Sequence, residues 1–367
     1  MTQRSSLRIT LISIIISLVI IGLVFIYSSS SFYATQLYGD GAFFVKKQLV
    51  GILLSALIVY ALAMLPLDII RRAAPLLFVT SLIITYATLI PGIGCTINGS
   101  RRWLLIGGFS LQPSEILKAS FILYLASYLE RKQVTPVKSH KILAPILFLM
   151  GICCFALLKQ PDFGQAVTLS FTALALFFVA GGNIQYLLML AGLGIAGGIA
   201  LIVAKPYRFR RVLIFINPWK DPQGAGFQII QSLIAIGSGK WWGTGIAQSK
   251  QKFFYLPMQH TDFIFSVIAE ETGFCGIAFL ICLFIALLFT GTKLARAMTT
   301  TFGTMTCLGF TFLVIFQTII NIFVSSGLAP TKGIGLPFIS YGGSSLIGLA
   351  LLLGVVINAS LEEHAHE

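Results

Sequence analysis

The chain has 367 residues, of which 57% are hydrophobic and only 10% are charged. Soluble globular domains carry about 25% charged residues, so this composition excludes a soluble protein, a disordered chain and a coiled coil. We therefore predict an integral membrane protein. Its 25 lysines and arginines against 12 aspartates and glutamates give a net charge of +13, concentrated in the little polar sequence available.

Ten apolar segments approach or exceed the length of about 20 residues that a helix needs to cross a bilayer. They predict an all-α, polytopic membrane protein with about ten transmembrane helices, as a single domain over residues 1–367. The first segment follows Arg4 and Arg8, as in a signal peptide, but its length and the later segments favour a retained helix. The segments are 8–27, 48–66, 74–91, 113–129, 141–158, 163–181, 184–203, 262–290, 302–325 and 338–360.

Positive charge favours the cytoplasmic side of a membrane. With both termini cytoplasmic, ten basic residues lie inside and six lie in short outer segments, so we predict that orientation. The long interruption at about 204–261, between the seventh and eighth spans, then lies outside and carries eight basic residues and one acid. Since long loops escape the orientation rule, this excess indicates an anionic ligand at the outer face. The basic residues are scattered between apolar runs, so no nucleic-acid partner is expected.

Asp262 lies in the run HTDFIF, where the basic outer loop enters the eighth span. A carboxylate at such a boundary loses part of its hydration, which raises its pKa and makes it a stronger base. The alternative is a helix N-cap, because aspartate before an apolar run is a common start signal. The residues alone leave both interpretations open.

The start of the fourth span carries Glu115 and Lys118 on one helix face, in the run QPSEILK. The pair either neutralises itself so that it can be buried, or forms a polar cavity wall in which Lys118 contacts a phosphate. Just upstream, Arg101 and Arg102 precede Trp103 in an outer loop. This group is either an interfacial anchor or part of a binding site.

Three other polar groups have a structural and a functional interpretation. The run KQPDFG, with Asp162, is typical of a tight outer turn. At least one of Glu270 and Glu271, inside the eighth span, should face a partner or a cavity, since two unpaired carboxylates in hydrocarbon are too costly. The run LPFISYGGSS at 336–345 opens the tenth span, and its small residues serve either close packing or hydrogen bonding.

These motifs occur together in one order: NGSRRW with QPSEILK, KQPDFG, the run from NPWKDPQGAGFQIIQSLIAIGSG to HTDFIFSVIAEETGF, and LPFISYGGSS. In that order they resemble the SEDS proteins (shape, elongation, division and sporulation), whose main members are FtsW and RodA. The resemblance covers nearly the whole chain and fits ten spans with a large outer loop. The sequence PDFG in the third of these motifs is closer to that of FtsW, the division member.

The resemblance implies a peptidoglycan glycosyltransferase that polymerises lipid II outside the bacterial cytoplasmic membrane, with septal synthesis favoured over a RodA-like role in elongation. It implies a class B penicillin-binding protein and other divisome proteins as partners. A divalent cation, magnesium or manganese, is the cofactor considered for the departing pyrophosphate. We assign no metal-ligating residues and expect no organic cofactor. A lipid II flippase and a non-catalytic scaffold are the alternatives from other classes.

The essential aspartate of the family falls on Asp262. We predict that it is the general base that deprotonates the acceptor hydroxyl, so that undecaprenyl pyrophosphate is displaced in one inverting step. The other predicted site residues come from the motifs and from the basic loop. As substrate-binding residues we predict Arg101, Arg102, Trp103, Gln112, Glu115, Lys118, Arg208, Arg210, His260, Ser340 and Tyr341.

Overall fold

A computed structural model describes residues 3–97, 100–107, 109–132, 139–203, 215–224, 226–249, 259–330 and 333–361. Within these residues the chain forms eleven α-helices, a three-stranded sheet and a short 3-10 helix at Pro218–Lys220. The helices are α1 (Gln3–Tyr38), α2 (Phe43–Met64), α3 (Leu67–Ala87), α4 (Pro113–Lys132), α5 (Ser139–Lys159), α6 (Phe163–Val179), α7 (Ile184–Val203), α8 (Phe227–Ser238), α9 (Ile264–Arg296), α10 (Thr301–Ser325) and α11 (Gly343–Leu361).

All of these helices except α8 coincide with the ten predicted apolar segments. In lipid, backbone polar groups have to be bonded within the protein, so long apolar runs become helices. Six of the helices, α1, α2, α5, α9, α10 and α11, are long and apolar enough to cross a membrane. The all-α, polytopic class is thereby confirmed. The count of ten spans, the side of each terminus and the single-domain division stay predictions.

Several helix ends differ from the predicted segments; α3, for example, begins at Leu67 and not at residue 74. Two of these differences have a local cause. The last segment was predicted from residue 338, but α11 begins at Gly343 because residues 337–341 form a turn in which Phe338 has a φ of 65°. The first helix is longer than predicted and includes the serine run after Tyr27. The hydroxyl of Ser30 donates to the carbonyl oxygen of Ile26 at 2.6 Å, so this polar run continues the helix with its hydroxyls bonded.

The segment between α3 and α4, which we predict to lie outside, forms a small antiparallel sheet, an exception to the all-α class that the sequence did not predict. Its strands are β1 (Cys95–Ile97), β2 (Ser100–Ile106) and β3 (Phe109–Leu111), in that spatial order. Cys95 pairs with Trp103, and Leu104 pairs with Leu111. The two arginines and the tryptophan of the NGSRRW motif therefore lie on the middle strand.

The centre of the molecule consists of α4, α10 and α11. Helix α11 packs against α2 and α4, and α10 packs against α9, α4 and α6. Most of the apolar stretch of α11 (67%) is buried, compared with 11% for α2, so α2 faces the lipid. Gly348 allows α11 to approach α4 closely, because a Cβ there would lie 2.8 Å from the backbone oxygen of Glu115.

Helix α9 is broken at Gly273, where φ is 64° and ψ is −163°. The chain after α8 fills this break: the amides of Phe274 and Cys275 donate to the carbonyl oxygens of Lys240 (2.9 Å) and Trp241 (3.1 Å). A side chain at Gly273 would clash, since a Cβ would lie 2.3 Å from the Gly243 nitrogen. The predicted outer loop therefore contains a helix, α8, and is fixed to the helix that begins beside Asp262.

Candidate active site

A cavity of about 500 Å³ lies between the sheet, the start of α4 and the turns that precede α9 and α11. Polar side chains of α6, α8 and α10 complete its wall. The fold thus joins segments that are more than two hundred residues apart in sequence. Seven of the predicted site residues line the cavity: Arg102, Trp103, Gln112, Glu115, Asp262, Ser340 and Tyr341.

Two predicted arginines lie outside the described residues, and a third lies away from the cavity. Arg208 and Arg210 belong to the part of the outer loop that the structure does not describe. Arg101 is exposed, and its Nε donates to the hydroxyl of Thr96 on the neighbouring strand at 3.2 Å. Of the two arginines on β2, the structure therefore brings Arg102 to the cavity.

Glu115 and Lys118 form an ion pair at the start of α4. The Nζ atom of Lys118 lies 3.0 Å from Oε2 of Glu115, and Gln165 of α6 donates to Oε1 of Glu115 at 2.6 Å. Lys118 is only 1% exposed and is not part of the cavity wall, whereas Glu115 is. The structure therefore favours the interpretation of Glu115 and Lys118 as a buried ion pair. Only the carboxylate of this pair reaches the cavity.

Arg102 is held by the turn between α5 and α6. Its Nε donates to the carbonyl oxygen of Gln160 at 2.6 Å, and one terminal nitrogen donates to that of Pro161 at 2.8 Å. The other terminal nitrogen lies 3.4 Å from Oδ2 of Asp162. The same Oδ2 accepts from the amide of Gln112 at 3.2 Å. Asp162, which the sequence indicated only as a turn residue, therefore links two residues of the cavity wall.

Asp162 combines this link with a local role at the start of α6, where it is the N-cap residue and accepts from the Gln165 amide at 3.4 Å. It is 3% exposed. Burial raises the pKa of the Asp162 carboxyl, the neighbouring Arg102 lowers that pKa, and the charge of Glu115 raises it again. Sequence separations of fifty residues or more hide these contacts from a reading of the sequence.

Asp262 lies in the turn before α9, partly exposed, and its carboxylate lines the cavity. The N-cap residue of α9 is Phe263, so the interpretation of Asp262 as a helix cap does not describe this structure. Within the described part of the chain, no donor hydrogen-bonds the Asp262 carboxylate. Gly333 leaves room for it, since a Cβ there would lie 3.1 Å from Oδ2.

The environment of Asp262 favours its protonated form. Burial raises the pKa of the Asp262 carboxyl to about 7, with a further upward contribution from Asp162 and a downward one from Arg102. Its backbone is fixed from α10, where Asn321 donates to the carbonyl oxygens of Asp262 (2.9 Å) and Ile334 (2.7 Å). A fixed carboxylate with a pKa near neutrality has the properties of a general base.

The turn before α11 supports the turn that carries Asp262. The Ser340 hydroxyl donates to the carbonyl oxygen of Thr261 at 2.6 Å and accepts from the Leu336 amide at 2.7 Å. The Tyr341 amide donates to the carbonyl oxygen of His260 at 2.9 Å. Both Ser340 and Tyr341, predicted as substrate-binding residues, line the cavity and also hold the turn in place.

His260 packs among aromatic rings beside the cavity wall. Its ring centroid lies 4.5 Å from that of Phe44, 5.7 Å from that of Tyr341 and 6.2 Å from that of Tyr33. Burial lowers the pKa of His260 to about 4, so the imidazole is neutral at neutral pH. It is not among the residues that line the cavity, so its position favours packing of the turn over direct substrate contact.

Glu270 and Glu271 are bonded within the chain and lie away from the cavity. The Ser28 hydroxyl of α1 donates to both carboxylate oxygens of Glu271, at 2.6 and 2.8 Å. The amides of Ala247 and Ser249 donate to the same carboxylate at 2.9 and 3.3 Å, and the Ser249 hydroxyl donates to Glu270. Both glutamates thus attach the segment after α8 to α9, which meets the expectation that at least one has a partner.

A resident metal ion is not supported by the described side chains. Among them, no three His, Cys, Asp or Glu residues come together in a group that could hold an ion. A magnesium or manganese ion therefore has no protein cage in this part of the chain, and we derive no catalytic step through a metal.

Comparisons with known proteins agree with the motifs. The family model described as "Cell cycle protein", for FtsW, RodA and SpoVE, matches residues 8–365. Stage V sporulation protein E of Bacillus subtilis is 38% identical over 359 residues, which cover 98% of both chains. A protein named probable peptidoglycan glycosyltransferase FtsW, from Trichlorobacter lovleyi, is 40% identical over 95% of this chain and 92% of its own.

Solved structures show the same fold. A chain of the structure "Structural coordination of polymerization and crosslinking by a peptidoglycan synthase complex" has a TM-score of 0.78 and 32% identity, and covers 96% of this chain and 97% of its own. Rod shape determining protein RodA of Thermus thermophilus has a TM-score of 0.69 and 28% identity, with 97% of both chains covered. The predicted resemblance is confirmed: this multi-pass membrane protein belongs to the FtsW/RodA/SpoVE family of cell cycle proteins.

Proposed function

We propose that this protein is a peptidoglycan glycosyltransferase that polymerises lipid II into glycan strands. The observation that carries the proposal is a carboxylate, Asp262, which lines a polar cavity, has no hydrogen-bond donor among the described residues and has a pKa raised to about 7. Relatives named probable peptidoglycan glycosyltransferase FtsW support the reaction class.

The chemistry needs a base because a sugar hydroxyl is a poor nucleophile. Asp262 removes the proton of the acceptor 4-hydroxyl while the hydroxyl oxygen forms the new bond to the donor anomeric carbon. The bond from that carbon to the lipid pyrophosphate breaks, so undecaprenyl pyrophosphate leaves with the electron pair and the anomeric carbon is inverted. A positioned general base contributes about 10²–10⁴-fold to such a step. Direct displacement forms no covalent intermediate, so one carboxylate is sufficient.

The departing pyrophosphate requires positive charge nearby. In the described part of the cavity wall, Arg102 supplies that charge, while Lys118 lies behind Glu115 and is bonded to it. We propose Arg102 as the principal contact to the pyrophosphate, with Trp103 and Gln112 beside it. Arg101, Arg208 and Arg210 stay proposed contacts of the outer face. A cation that is fixed before the reaction stabilises the developing charge without a cost of reorganisation.

The cellular setting follows from the family and is part of the proposal. A related solved chain belongs to a peptidoglycan synthase complex that coordinates polymerization and crosslinking, which supports a transpeptidase partner, a class B penicillin-binding protein. We propose the bacterial inner membrane, cytoplasmic termini and the division septum, with other divisome proteins as partners. The division role agrees with relatives named FtsW.

A divalent cation, magnesium or manganese, that arrives with the lipid pyrophosphate is a separate part of the proposal. Such ions bind through one or two carboxylates and substrate phosphates, without a complete protein cage. Chelation with EDTA, followed by addition of each metal, measures the requirement. Full activity after chelation would exclude it.

The test uses purified protein, alone and with its transpeptidase, supplied with labelled lipid II in detergent and in vesicles. Growth of glycan strands is the expected result. Translocation of the lipid II headgroup across vesicles without polymer would identify a flippase instead, and neither activity would leave a scaffold. The Asp262→Asn variant is the matched control, since it keeps the shape of the side chain and removes the base.

A further inference from the structure

Asp162 is a buried carboxylate that the proposed chemistry does not use. It is not among the residues that line the cavity, yet it lies 3.4 Å from the guanidinium of Arg102, which is. The other two protein contacts of that guanidinium are carbonyl oxygens, those of Gln160 and Pro161. Asp162 is therefore the charged partner of Arg102 within the described residues.

We propose that Asp162 is a positioning residue that holds Arg102 at the cavity wall and, through it, sets the net charge that faces Asp262 and the leaving pyrophosphate. The inference rests on the proposed function and adds a residue to it. Two hydrogen bonds, from Nε and one terminal nitrogen, and the ion pair of the other terminal nitrogen with Asp162 fix the guanidinium. Because a guanidinium has five N–H groups, Arg102 has further N–H groups without a hydrogen-bond partner among the described residues, and these are available to phosphate oxygens.

Asp162 is itself held in place by neutral groups. The Gln112 side-chain amide donates to Oδ2 at 3.2 Å, and the Gln165 backbone amide donates to Oδ1 at 3.4 Å. Gln112 is in turn fixed through its backbone amide, which donates to the Ser344 hydroxyl oxygen at 2.9 Å. The carboxylate thus connects β2, the start of α4, the start of α6 and the start of α11. A shift of Asp162 would move Arg102.

Among the residues that the structure describes, the charges around Asp262 reduce to this pair. Glu115 and Lys118 on α4 form their own ion pair at 3.0 Å and largely cancel. His260, with a pKa lowered to about 4 by burial, is neutral at neutral pH. Burial raises the pKa of Tyr341, so it is neutral as well. The facing side chains of α8 and α10, Gln228 and Gln317, carry no charge.

Asp162 and Arg102 therefore act on Asp262 with opposite signs. The negative charge of Asp162 disfavours a second carboxylate and raises the pKa of Asp262, whereas the charge of Arg102 lowers it. Removal of each charge should shift the ionisation of Asp262 in opposite directions. General damage to the fold would not produce two opposed shifts, so the pair of variants separates an effect of charge from an effect on stability. Asparagine keeps an oxygen that can accept from Arg102, so the shift in Asp162→Asn reports the lost charge with Arg102 still held.

The experiment compares Asp162→Asn and Arg102→Gln in the purified full-length protein, with Asp40→Asn as the control. Asp40 is a carboxylate of the α1–α2 turn that pairs with Lys46. We expect the acid limb of the polymerisation rate to move down by about one pH unit in Asp162→Asn, up by a similar amount in Arg102→Gln, and to stay in place in the control.

The same shifts are measured without substrate by infrared titration of the carboxyl band that Asp262→Asn removes. If wild-type protein forms no polymer, the proposed function fails, while the infrared titration still decides the inference. Opposite shifts of the band in the two variants would support it. An unchanged midpoint in Asp162→Asn, or shifts of the same sign in both folded variants, would overturn it. If Asp162→Asn does not fold, Asp162→Ser replaces it, because serine can still cap α6 but carries no charge. A downward shift of the midpoint in that variant would support the inference, and an unchanged midpoint would overturn it.

Discussion

Two carboxylates near the start of α9 have opposite surroundings. Asp262, just before the helix, lines the cavity and has no hydrogen-bond donor among the described residues. Glu271, nine residues later, accepts from the Ser28 hydroxyl and from the amides of Ala247 and Ser249. The difference teaches that the availability of donors separates a structural carboxylate from a reactive one in this protein.

Physical chemistry explains why the two settings are not interchangeable. The donors around the Glu271 carboxylate stabilise its charged form and fix the chain after α8 to α9. Asp262 lacks such bonds, and burial raises the pKa of its carboxyl group, so its carboxylate is basic. The predictions below test this contrast, first at the reactive group and then at the structural ones.

Replacement of Asp262 should have the largest effect. Asp262→Asn removes the base but keeps the shape and polarity of the side chain, so polymerisation should fall by at least about 10²-fold. Incorporation of labelled lipid II into polymer measures it. Thermal unfolding in detergent should show a variant as stable as the wild type. Polymerisation at the wild-type rate by a folded variant would remove Asp262 from the mechanism.

Replacement of Glu271 should affect stability before chemistry. In Glu271→Gln, one carboxylate oxygen becomes an NH2 group that cannot accept from the donors facing it, and leaving buried groups unsatisfied costs about 1–3 kcal/mol. We expect a lower Tm and faster proteolysis of residues 239–249. At a temperature where the variant is folded, the acid limb of its pH profile should match that of the wild type. A displaced acid limb would mean that Glu271 also acts on the base.

Replacement of Ser340 tests how much the hydrogen bonds that hold the turn with Asp262 contribute to the rate of polymerisation. Ser340→Ala removes the bond to the Thr261 carbonyl oxygen and the acceptor for the Leu336 amide. Because small displacements of catalytic groups are costly, we expect the rate to fall about tenfold. The matched variant Ser326→Ala removes a hydroxyl that bonds only the Ile322 carbonyl oxygen within its own helix, and should retain activity. Equal activity of the two variants would contradict a role of the Ser340 bonds in catalysis.

Ser28→Ala should have the smallest effect. It removes one of the three described donors to Glu271 and leaves both backbone amides in place. The carboxylate keeps its charge and two of its described donors, whereas Glu271→Gln removes the charge and turns one acceptor into a donor, so the Tm should fall less than in Glu271→Gln. Calorimetry of both variants in the same detergent gives the order. The reverse order would show that the α1 contact, and not the loop, is the main role of Glu271.

Much of the fold was predictable because lipid imposes a simple rule on the backbone. The apolar segments coincide with helices, since no other local structure satisfies the backbone in hydrocarbon. The small sheet was not predictable in the same way: its strands lie outside the apolar segments and are only three to seven residues long. Nor was the break at Gly273, which depends on the chain after α8 filling it.

Site residues could be predicted where the type of side chain and its motif indicate the chemistry. They could not be predicted where their role depends on a contact between distant segments. Asp262, Arg102, Trp103 and Gln112 were chosen from charge and motif, and all four line the cavity. The sequence indicates Asp162 as a turn residue. Its contact to Arg102 joins segments sixty residues apart, so the sequence does not reveal that contact. The ion pair of Glu115 with Lys118 could be foreseen from their spacing, but not which partner faces the cavity.

The pH dependence of polymerisation tests the central claim, that Asp262 is the base, most directly. The measurement is the initial rate of wild-type protein from pH 5 to pH 9, at lipid II concentrations well below KM, where the rate reports kcat/KM and therefore the pKa of the free enzyme. With a pKa raised to about 7, the Asp262 carboxyl is protonated and inactive in acid. The account predicts a rate that rises about tenfold per pH unit and levels off near pH 7. A rate that is already constant at pH 5 would contradict it.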